Sequence, residues 1–255
     1  MKKVIFCALF LITVLVVNSQ KVYDIEFDTI KQVIESNPNL YQELGKRFIE
    51  NDTTLEGIDY LLLYYGGAYT ENYSPYGERG LISSVDELIE EEKYDEAIER
   101  GLEILQENPG MVELYYSLTA SYHLTGDTIM AQSYYEKYVN LLSIPYYSGN
   151  GLEKDSAFVV RIVRDEYLIL EELGYKLESQ HLIIDEETGM PYDLMKVVDE
   201  SGNEEELYFN IYQPYIIGMQ KMFGGEESDE KNKKKDKRKE KKKKRKNKNK
   251  KNDKS

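Results

Sequence analysis

Apolar residues recur at helical spacing through the first part of the chain, up to about residue 142. In DTIKQVIES, Ile30, Val33 and Ile34 fall on one helical face. In NLYQELGKRFIE, Leu44 and Phe48 continue the same kind of stripe. The pattern predicts two amphipathic helices at the start of the fold.

The segment NDTTLEGIDYLLLYYGG predicts a third helix. Thr53 and Glu56 have the spacing of a capping box, in which two side chains bond backbone N–H groups at the helix start. Gly66 and Gly67 end the apolar stripe. We expect helices to resume near Ser84 and to form two hairpins up to about residue 142.

The two predicted hairpins, at about residues 80–142, resemble tetratricopeptide repeats. The resemblance rests on large residues in the first helix, a turn glycine, and small residues where helices approach closely. The matching residues are Ala97, Tyr115, Leu118, Tyr122, Gly126, Ala131 and Tyr135. Because Gly101, Thr119 and Tyr138 depart from the pattern, we expect one regular and one degenerate repeat.

From Ala157 onwards the period of the apolar residues changes. AFVVRIV, YKLESQHLII, YDLMKVVDE and ELYFNIY favour strands, and DEYLILEELG favours a short helix that Gly174 ends. The turn-like DEETGMP and SGN predict an antiparallel meander of the last three strands. The predicted fold is α+β and mainly α: a helical part over residues 20–150 contains the tetratricopeptide-like hairpins. A small α/β part with a mostly antiparallel β-sheet, residues 151–223, packs on it.

The first 19 residues have the layout of a secretory signal peptide. Two lysines precede an apolar or hydroxyl run of 14 residues, Val4 to Val17. A retained anchor is the weaker alternative, because crossing a hydrocarbon core takes about 20 residues. Cleavage after Ser19 would remove Cys7, the only cysteine. We therefore expect an exported protein, periplasmic or secreted, with no membrane span after cleavage, and a monomer.

The chain divides into an acidic body and a basic tail. Residues 20–230 hold 44 acidic and 14 basic side chains, whereas residues 231–255 hold 3 acidic and 17 basic ones. Residues 224–255 lack large apolar side chains, so we predict a disordered Lys-rich tail. Such a tail favours binding of a surface polyanion. The candidate polyanion-binding residues are Lys233, Lys234, Lys235, Lys241, Lys242, Lys243, Lys244 and Arg245.

No pattern in the sequence specifies a reaction. His123 and His181 have no second histidine at metal-ligand spacing, and the common nucleophile and phosphate-loop motifs do not occur. A hairpin turn explains DESGNEEE better than a calcium loop, because Glu204 stands where that loop needs glycine. We predict no catalytic residues, no cofactor and no metal. The alternative is a hydrolase-type enzyme that uses paired carboxylates in the α/β part.

Two groups of residues are candidates for contact with an unknown protein partner. Six of the 23 tyrosines lie in residues 60–76, where they either form a contact surface or pin a loop to the fold. The resemblance to tetratricopeptide repeats implies a second group on the concave side of the hairpins. The candidate protein-binding residues are Tyr69, Tyr73, Tyr76, Glu113, Tyr116 and His123.

Four Asp-Ser/Thr triplets recur along the chain, beginning at Asp28, Asp52, Asp127 and Asp155. They resemble O-glycosylation acceptor sites of some exported bacterial proteins. The same residue types also cap helices, and three of the four triplets stand at predicted helix starts. Both interpretations remain open from the sequence.

The whole pattern over residues 24–223 resembles the domain of unknown function 4919 family of exported bacterial proteins. The resemblance is carried by the signal peptide, NDTTL, LYYG with NYSPYG, the repeat-like pair, SGNG with AF, and YFNI. It implies no activity and does not cover the Lys-rich tail. We therefore predict an exported, non-catalytic interaction module or scaffold. The alternatives are the hydrolase-type enzyme and an envelope polyanion binder that acts through its basic tail.

Overall fold

The computed structural model describes residues 25–75 and 78–222. The helices are α1 (Phe27–Ser36), α2 (Leu40–Ile49), α3 (Gly57–Tyr65), α4 (Glu78–Glu90), α5 (Tyr94–Glu107), α6 (Val112–Leu124), α7 (Thr128–Leu142) and α8 (Val163–Glu172). The strands are β1 (Phe158–Val159), β2 (Lys176–Ile184), β3 (Pro191–Val198) and β4 (Glu204–Asn210). The fold is α+β and mainly α, as predicted. The predicted signal peptide, Tyr76 and the Lys-rich tail lie outside the described residues.

The capping box of α3 lies three residues later than predicted. Glu56 and Asp59 cap each other's backbone N–H groups, and the Glu56 N–H donates to Asp59 Oδ2 at 2.9 Å. The prediction with Thr53 was wrong because Asp52 closes a separate turn there. Its Oδ1 accepts the Thr54 N–H at 2.9 Å.

Helices α4 to α7 form two consecutive hairpins, in which each helix packs on the next. Gly126 makes the turn between α6 and α7 with a φ of +87°, a conformation that glycine adopts without strain. Ala97 and Ala131 are buried where neighbouring helices meet. The hairpins thus occupy the predicted region, and their assignment as tetratricopeptide repeats stays a prediction.

The sequence pattern predicted that the helices resume near Ser84. Helix α4 instead begins at Glu78. The physical reason is a long-range contact. Arg161 donates to the Glu78 side chain at 2.6 Å in the interior of the protein, and this contact anchors the first turn of α4. A local hydrophobic pattern does not contain that information.

The described strands form one sheet with the spatial order β1-β4-β3-β2. The antiparallel pairs β2–β3 and β3–β4 confirm the predicted meander, whereas β1 pairs with β4 in parallel. AFVVRIV forms a strand only over Phe158–Val159, because the chain then turns toward α8. Helix α8 packs on β2 and on α6 and α7, so it joins the sheet to the hairpins.

Tyrosine fills much of the core. Tyr64, Tyr65, Tyr115 and Tyr134 are at most 2% exposed. Two of their hydroxyls donate to backbone carbonyls, Tyr65 to Val159 at 3.0 Å and Tyr115 to Pro109 at 2.8 Å. Their polar ends are thereby satisfied inside an apolar interior.

After β4 the chain forms a π-helical turn, Tyr212–Ile217, and residues 218–222 continue it as a helix. The sequence pattern did not predict this element. Gln213 Nε2 donates to the Tyr65 carbonyl at 3.0 Å, which ties the turn to the end of α3. Across the described ranges, no helix has the length and apolar character needed to cross a membrane.

Candidate functional site

A cleft with a volume of about 610 Å³ opens between α4, α6 and the start of α8. Helix α4 contributes Arg79, Ile82, Ser83 and Asp86, which share one face because their spacings are three and four residues. The other lining residues are Pro75, Glu78, Glu113, Ile162, Val163, Arg164 and Tyr167. The volume lies within the range of ligand pockets, about 300–1,000 Å³.

A buried ion pair forms the floor of the cleft. Arg161 Nη1 and Nη2 donate to Glu78 Oε1 and Oε2 at 2.6 and 3.0 Å. The two side chains are 3% and 9% exposed. The Tyr73 hydroxyl donates to the Arg161 carbonyl at 2.6 Å. The pair fixes the first turn of α4 against the segment before α8, so two walls of the cleft are held together.

Asp165 lies beside this ion pair, in the first turn of α8. Tyr64 donates a hydrogen bond of 2.6 Å to Asp165 Oδ2. Burial raises the pKa of Asp165 to about 6, although Arg161 and the Tyr64 hydrogen bond act to lower it. Asp165 is 1% exposed and does not line the cleft. Its ionised form at neutral pH adds a negative charge beneath the floor.

Two polar contacts lie in the walls. Ser117 donates to Asp86 Oδ1 at 2.8 Å, and Arg164 donates to both oxygens of Glu113, at 2.9 and 2.6 Å. Burial raises the pKa of Asp86, the Ser117 hydrogen bond lowers it, and the negative charges of Glu113 and Glu90 raise it further. Arg164 lowers the pKa of Asp86 and so offsets part of the effect of these carboxylates. Asp86 has no cation of its own among the described residues, so an entering cation could pair with it.

Arg79 differs from the other charged residues of the cleft in its lack of a partner among the described residues. Its side chain is exposed and has neither a hydrogen bond nor an ion-pair partner in the described part of the chain. Arg79 and Asp86 are seven residues apart on one helix face, which corresponds to about 10 Å along the axis. The cleft thus offers Arg79, which has no charged partner among the described residues, and the Asp86 carboxylate at a defined separation.

A second group of carboxyls is buried behind Tyr167. The Tyr167 hydroxyl donates to Gln180 Oε1 at 2.8 Å, and Gln180 Nε2 donates to Asp193 at 2.6 Å and to Glu166 at 3.3 Å. Burial raises the pKa of both carboxyl groups, and Asp193 raises that of Glu166 further. Glu166 is 0% and Asp193 is 6% exposed. Neither lines the cleft, so this group joins α8 to β2 and β3.

The residues predicted to bind a partner are distributed over different environments. Glu113 lines the cleft. Tyr116 is 55% exposed, and its ring lies 5.3 Å from that of Tyr138. His123 is exposed near the end of α6, whereas Tyr73 is 7% exposed beneath the cleft.

Tyr69 ends the 3₁₀ turn Gly66–Tyr69 and is partly buried. Tyr76 and the tail residues lie outside the described ranges: Lys233, Lys234, Lys235, Lys241, Lys242, Lys243, Lys244 and Arg245. The structure therefore gives no position for that part of the predicted site. Of the predicted protein-binding residues that it describes, only Glu113 lines the cleft, whereas Tyr73 lines a separate hollow and bonds the Arg161 carbonyl.

Sequence reasoning missed Glu78, Asp86, Arg161 and Arg164 as site residues. One signal was available, because Arg161 interrupts the apolar segment AFVVRIV, and a charge in such a segment is usually paired. The partner could not be inferred, since Glu78 is 83 residues away. The described residues contain no group of three or more potential metal ligands placed to hold an ion.

The comparisons give a family but no characterised relative. A family model with the description "Domain of unknown function (DUF4919)" matches residues 28–219. No curated protein and no solved structure matches the chain. The matched range includes all the residues that line the cleft.

Proposed function

The chain belongs to the DUF4919 family, whose description assigns no activity, and we propose that it is an exported, non-catalytic binding protein. Its cleft between α4, α6 and α8 holds a charged segment of a partner protein. The observation that carries this proposal is the combination in one cleft of apolar walls, the Asp86 carboxylate and Arg79, which has no charged partner among the described residues. Such a surface is complementary to a segment that carries both an apolar stem and charge.

The carboxylates of the cleft are already held by other side chains, which favours binding over catalysis. Glu113 is held by Arg164, Glu78 is held by Arg161, and Asp86 accepts from Ser117. A hydrolase needs a carboxylate in reach of a substrate and a second group with a separate role. The hydrolase alternative therefore rests on Asp86 alone, since the Glu166 and Asp193 carboxyls are buried behind Tyr167.

The resemblance of the hairpins to tetratricopeptide repeats supports a peptide-like occupant. Helices α4 and α6 are the first helices of the two hairpins, and both line the cleft. In tetratricopeptide repeats the first helices form the concave side, where peptides bind. Glu113 was expected on that side from the repeat resemblance.

Export is the second part of the proposal. It is supported by the two lysines and the apolar run that ends at Val17, and by a break in composition at Ser19. The basic tail supports the other candidate function, an envelope polyanion binder, because residues 231–255 carry 17 basic side chains.

The test of partner binding uses steric block of the cleft. Ser83→Phe fills the cleft without a change in charge, and Gln106→Phe adds the same side chain at an exposed position of α5, which does not line the cleft. Full-length wild type and both variants, each with its melting temperature measured, are used to capture proteins from the native envelope fraction. We expect one set of proteins to be retained by wild type and Gln106→Phe and lost with Ser83→Phe. Identical capture by all three proteins contradicts the proposal.

A further inference from the structure

We propose that the Lys-rich segment 233–245 of the same chain occupies the cleft, so that a partner must displace it. The inference rests on the proposed function of the cleft as a binding site and names a regulator of that site. Three observations carry it: where the described chain ends, the charges of the cleft, and the order of charges in the segment.

The described chain ends at the rim of the cleft. Lys221 and Met222 line a small hollow together with Tyr73 and Pro75, and Pro75 also lines the cleft. Gly218 packs closely on Pro75, because a Cβ at Gly218 would lie 2.5 Å from Pro75 Cγ. The Lys221 ammonium donates to the Thr70 carbonyl and lies 5.6 Å from the centre of the Tyr73 ring. These contacts place Lys221 and Met222, the last described residues, beside the Pro75 side of the cleft.

The segment has enough chain to reach the cleft. Lys233 stands 11 positions after Met222, the last described residue, and a chain of that length can span up to roughly 40 Å. Tethering a segment by a short linker gives an effective concentration on the order of millimolar. Even a weak contact would therefore be substantially occupied within one molecule.

Asp86 is the point in the cleft that favours a cationic group, because Glu78 and Glu113 are paired with arginines. Burial raises the pKa of Asp86 and the Ser117 hydrogen bond lowers it, while Glu113 and Glu90 raise it and Arg164 lowers it. A lysine beside Asp86 would pair with this carboxylate, which accepts a hydrogen bond only from Ser117 among the described residues. The surface continues beyond Asp86 with the same sign, since residues 86–107 hold 10 acidic and 2 basic side chains. The apolar walls, Ile82 and Val163, are suited to the aliphatic stem of a lysine.

The order of charges in the segment matches the separation of Arg79 and Asp86. Asp236 has lysines three residues before and after it, and Glu240 has Lys237 and Lys243 in the same places. Three residues of extended chain cover about 10 Å, the same distance as seven residues of helix. An acidic side chain of the segment can thus meet Arg79 while a lysine meets Asp86. A segment made only of lysines would lack an acidic side chain for Arg79 and would repel it.

Zero-length carbodiimide cross-linking of the full-length protein tests the inference, because this reagent joins lysines to carboxylates that are in contact. We expect the lysines of 233–245 to link at least fivefold more to Asp86, Glu90 and Glu113 than to exposed carboxylates elsewhere, such as Glu43 and Glu178. Ser83→Phe keeps every carboxylate but blocks the cleft, so it should lower these cleft links at least fivefold. Gln106→Phe should leave them unchanged.

A second variant covers the case in which Ser83→Phe is unfolded. Asp86→Asn should lower the links to Glu113 severalfold, whereas Glu43→Gln, which removes the same charge from α2, should not.

A mixture of ¹⁴N- and ¹⁵N-labelled protein shows whether the links form within one chain. Links spread evenly over the body, or links between chains, overturn the inference. If the cross-links overturn the inference in this way while Ser83→Phe still abolishes partner capture, the proposed function stands without this regulator. If the cleft links form but all variants capture the same proteins, the contact between the segment and the cleft stands, and partner binding at the cleft fails.

Discussion

Arg161 and Glu78 form a two-point ion pair inside the protein, with N···O distances of 2.6 and 3.0 Å. They are 83 residues apart in the chain and connect the helical hairpins to the α/β part. Both ionic groups have lost most of their water, so each depends on the other for compensation of its charge.

We predict that removal of one partner destabilises the fold strongly. Glu78→Ala should lower the free energy of unfolding by about 3–5 kcal/mol. The buried guanidinium would lose its hydrogen-bonded partner and keep only the nearby charge of Asp165. The double variant Glu78→Leu with Arg161→Met should recover part of that loss, since it removes both buried charges but also the cation that lowers the pKa of Asp165. Urea unfolding of the three proteins measures the effect. Arg100→Ala, which breaks the exposed pair with Glu103, is the control and should cost about 1 kcal/mol or less.

A second prediction concerns the pH dependence of stability. Burial and the neighbouring Asp193 raise the pKa of Glu166 well above its ordinary 4.5, so the folded state binds this proton more tightly than the unfolded state. The stabilisation is complete below pH 4.5 and is lost as the pH rises from 4.5 through the folded pKa. The slope is at most about 1.4 kcal/mol per pH unit for one proton.

Glu166→Gln keeps a neutral hydrogen-bonding group and should remove the loss of stability that ionisation of Glu166 causes above pH 4.5. Urea unfolding between pH 5 and 8 should therefore give a flatter curve for the variant than for wild type. Asp165, with a pKa raised to about 6, titrates in the same range and raises the pKa of Glu166. The variant curve should therefore be flatter than that of wild type but not flat, and the difference includes the coupling of the two carboxyls. Glu178→Gln on the exposed face of β2 is the matched control. Parallel curves for wild type and Glu166→Gln would show that Glu166 is ionised in the folded protein.

A third prediction compares two glycines that both lie in helices. At Gly101 in α5, a Cβ would lie 2.7 Å from Leu118 Cδ2, and Leu118 is 0% exposed. Gly101→Ala should therefore destabilise by about 1–3 kcal/mol, because the core must move. At Gly80 in α4 a Cβ meets nothing within 4 Å, so Gly80→Ala should stabilise by up to about 1 kcal/mol. Thermal melts that change in the same direction for both variants would contradict this assignment of the α5–α6 contact.

A fourth prediction addresses export. The exported protein should begin at Gln20, because Val17 and Ser19 are small enough for the recognition positions of signal peptidase. Intact-mass analysis of protein from the native cells measures the N-terminus. A chain that retains Met1, or one that carries lipid on Cys7, contradicts the prediction.

The sequence was sufficient for the elements whose partners are close in the chain. The stripe of Leu44 and Phe48 in α2, the turn at Gly126 and the meander of β2 to β4 were predicted, because each follows from local periodicity or turn chemistry. Asp127 was also expected at a helix start, and its Oδ1 accepts the Met130 N–H at 3.0 Å at the start of α7.

The cleft could not be predicted, because its residues are separated by long stretches of chain. Arg79, Glu113 and Arg164 look like ordinary surface charges in the sequence, and only the packing of α4, α6 and α8 brings them together. The restart of the helices at Glu78 was missed for the same reason, since Arg161 anchors that turn. Tyr73 lies in a polar loop by sequence, yet its hydroxyl bonds the Arg161 carbonyl and its side chain is buried.

The last prediction concerns the basic tail and a polyanion outside the protein. The acidic body repels a polyanion, so binding of heparin or lipopolysaccharide should depend on residues 231–255 and should weaken steeply with salt as counterions are released. Deletion of these residues should abolish that binding and leave the melting temperature nearly unchanged, because residues 231–255 hold no large apolar side chain. A polyanion offers denser negative charge than the cleft, so heparin should also reduce the cross-links between the tail and Glu113. Affinity measured across a salt series for both chains is the test. Equal affinity with and without the tail, or affinity that does not change with salt, would show that the lysines do not carry the interaction.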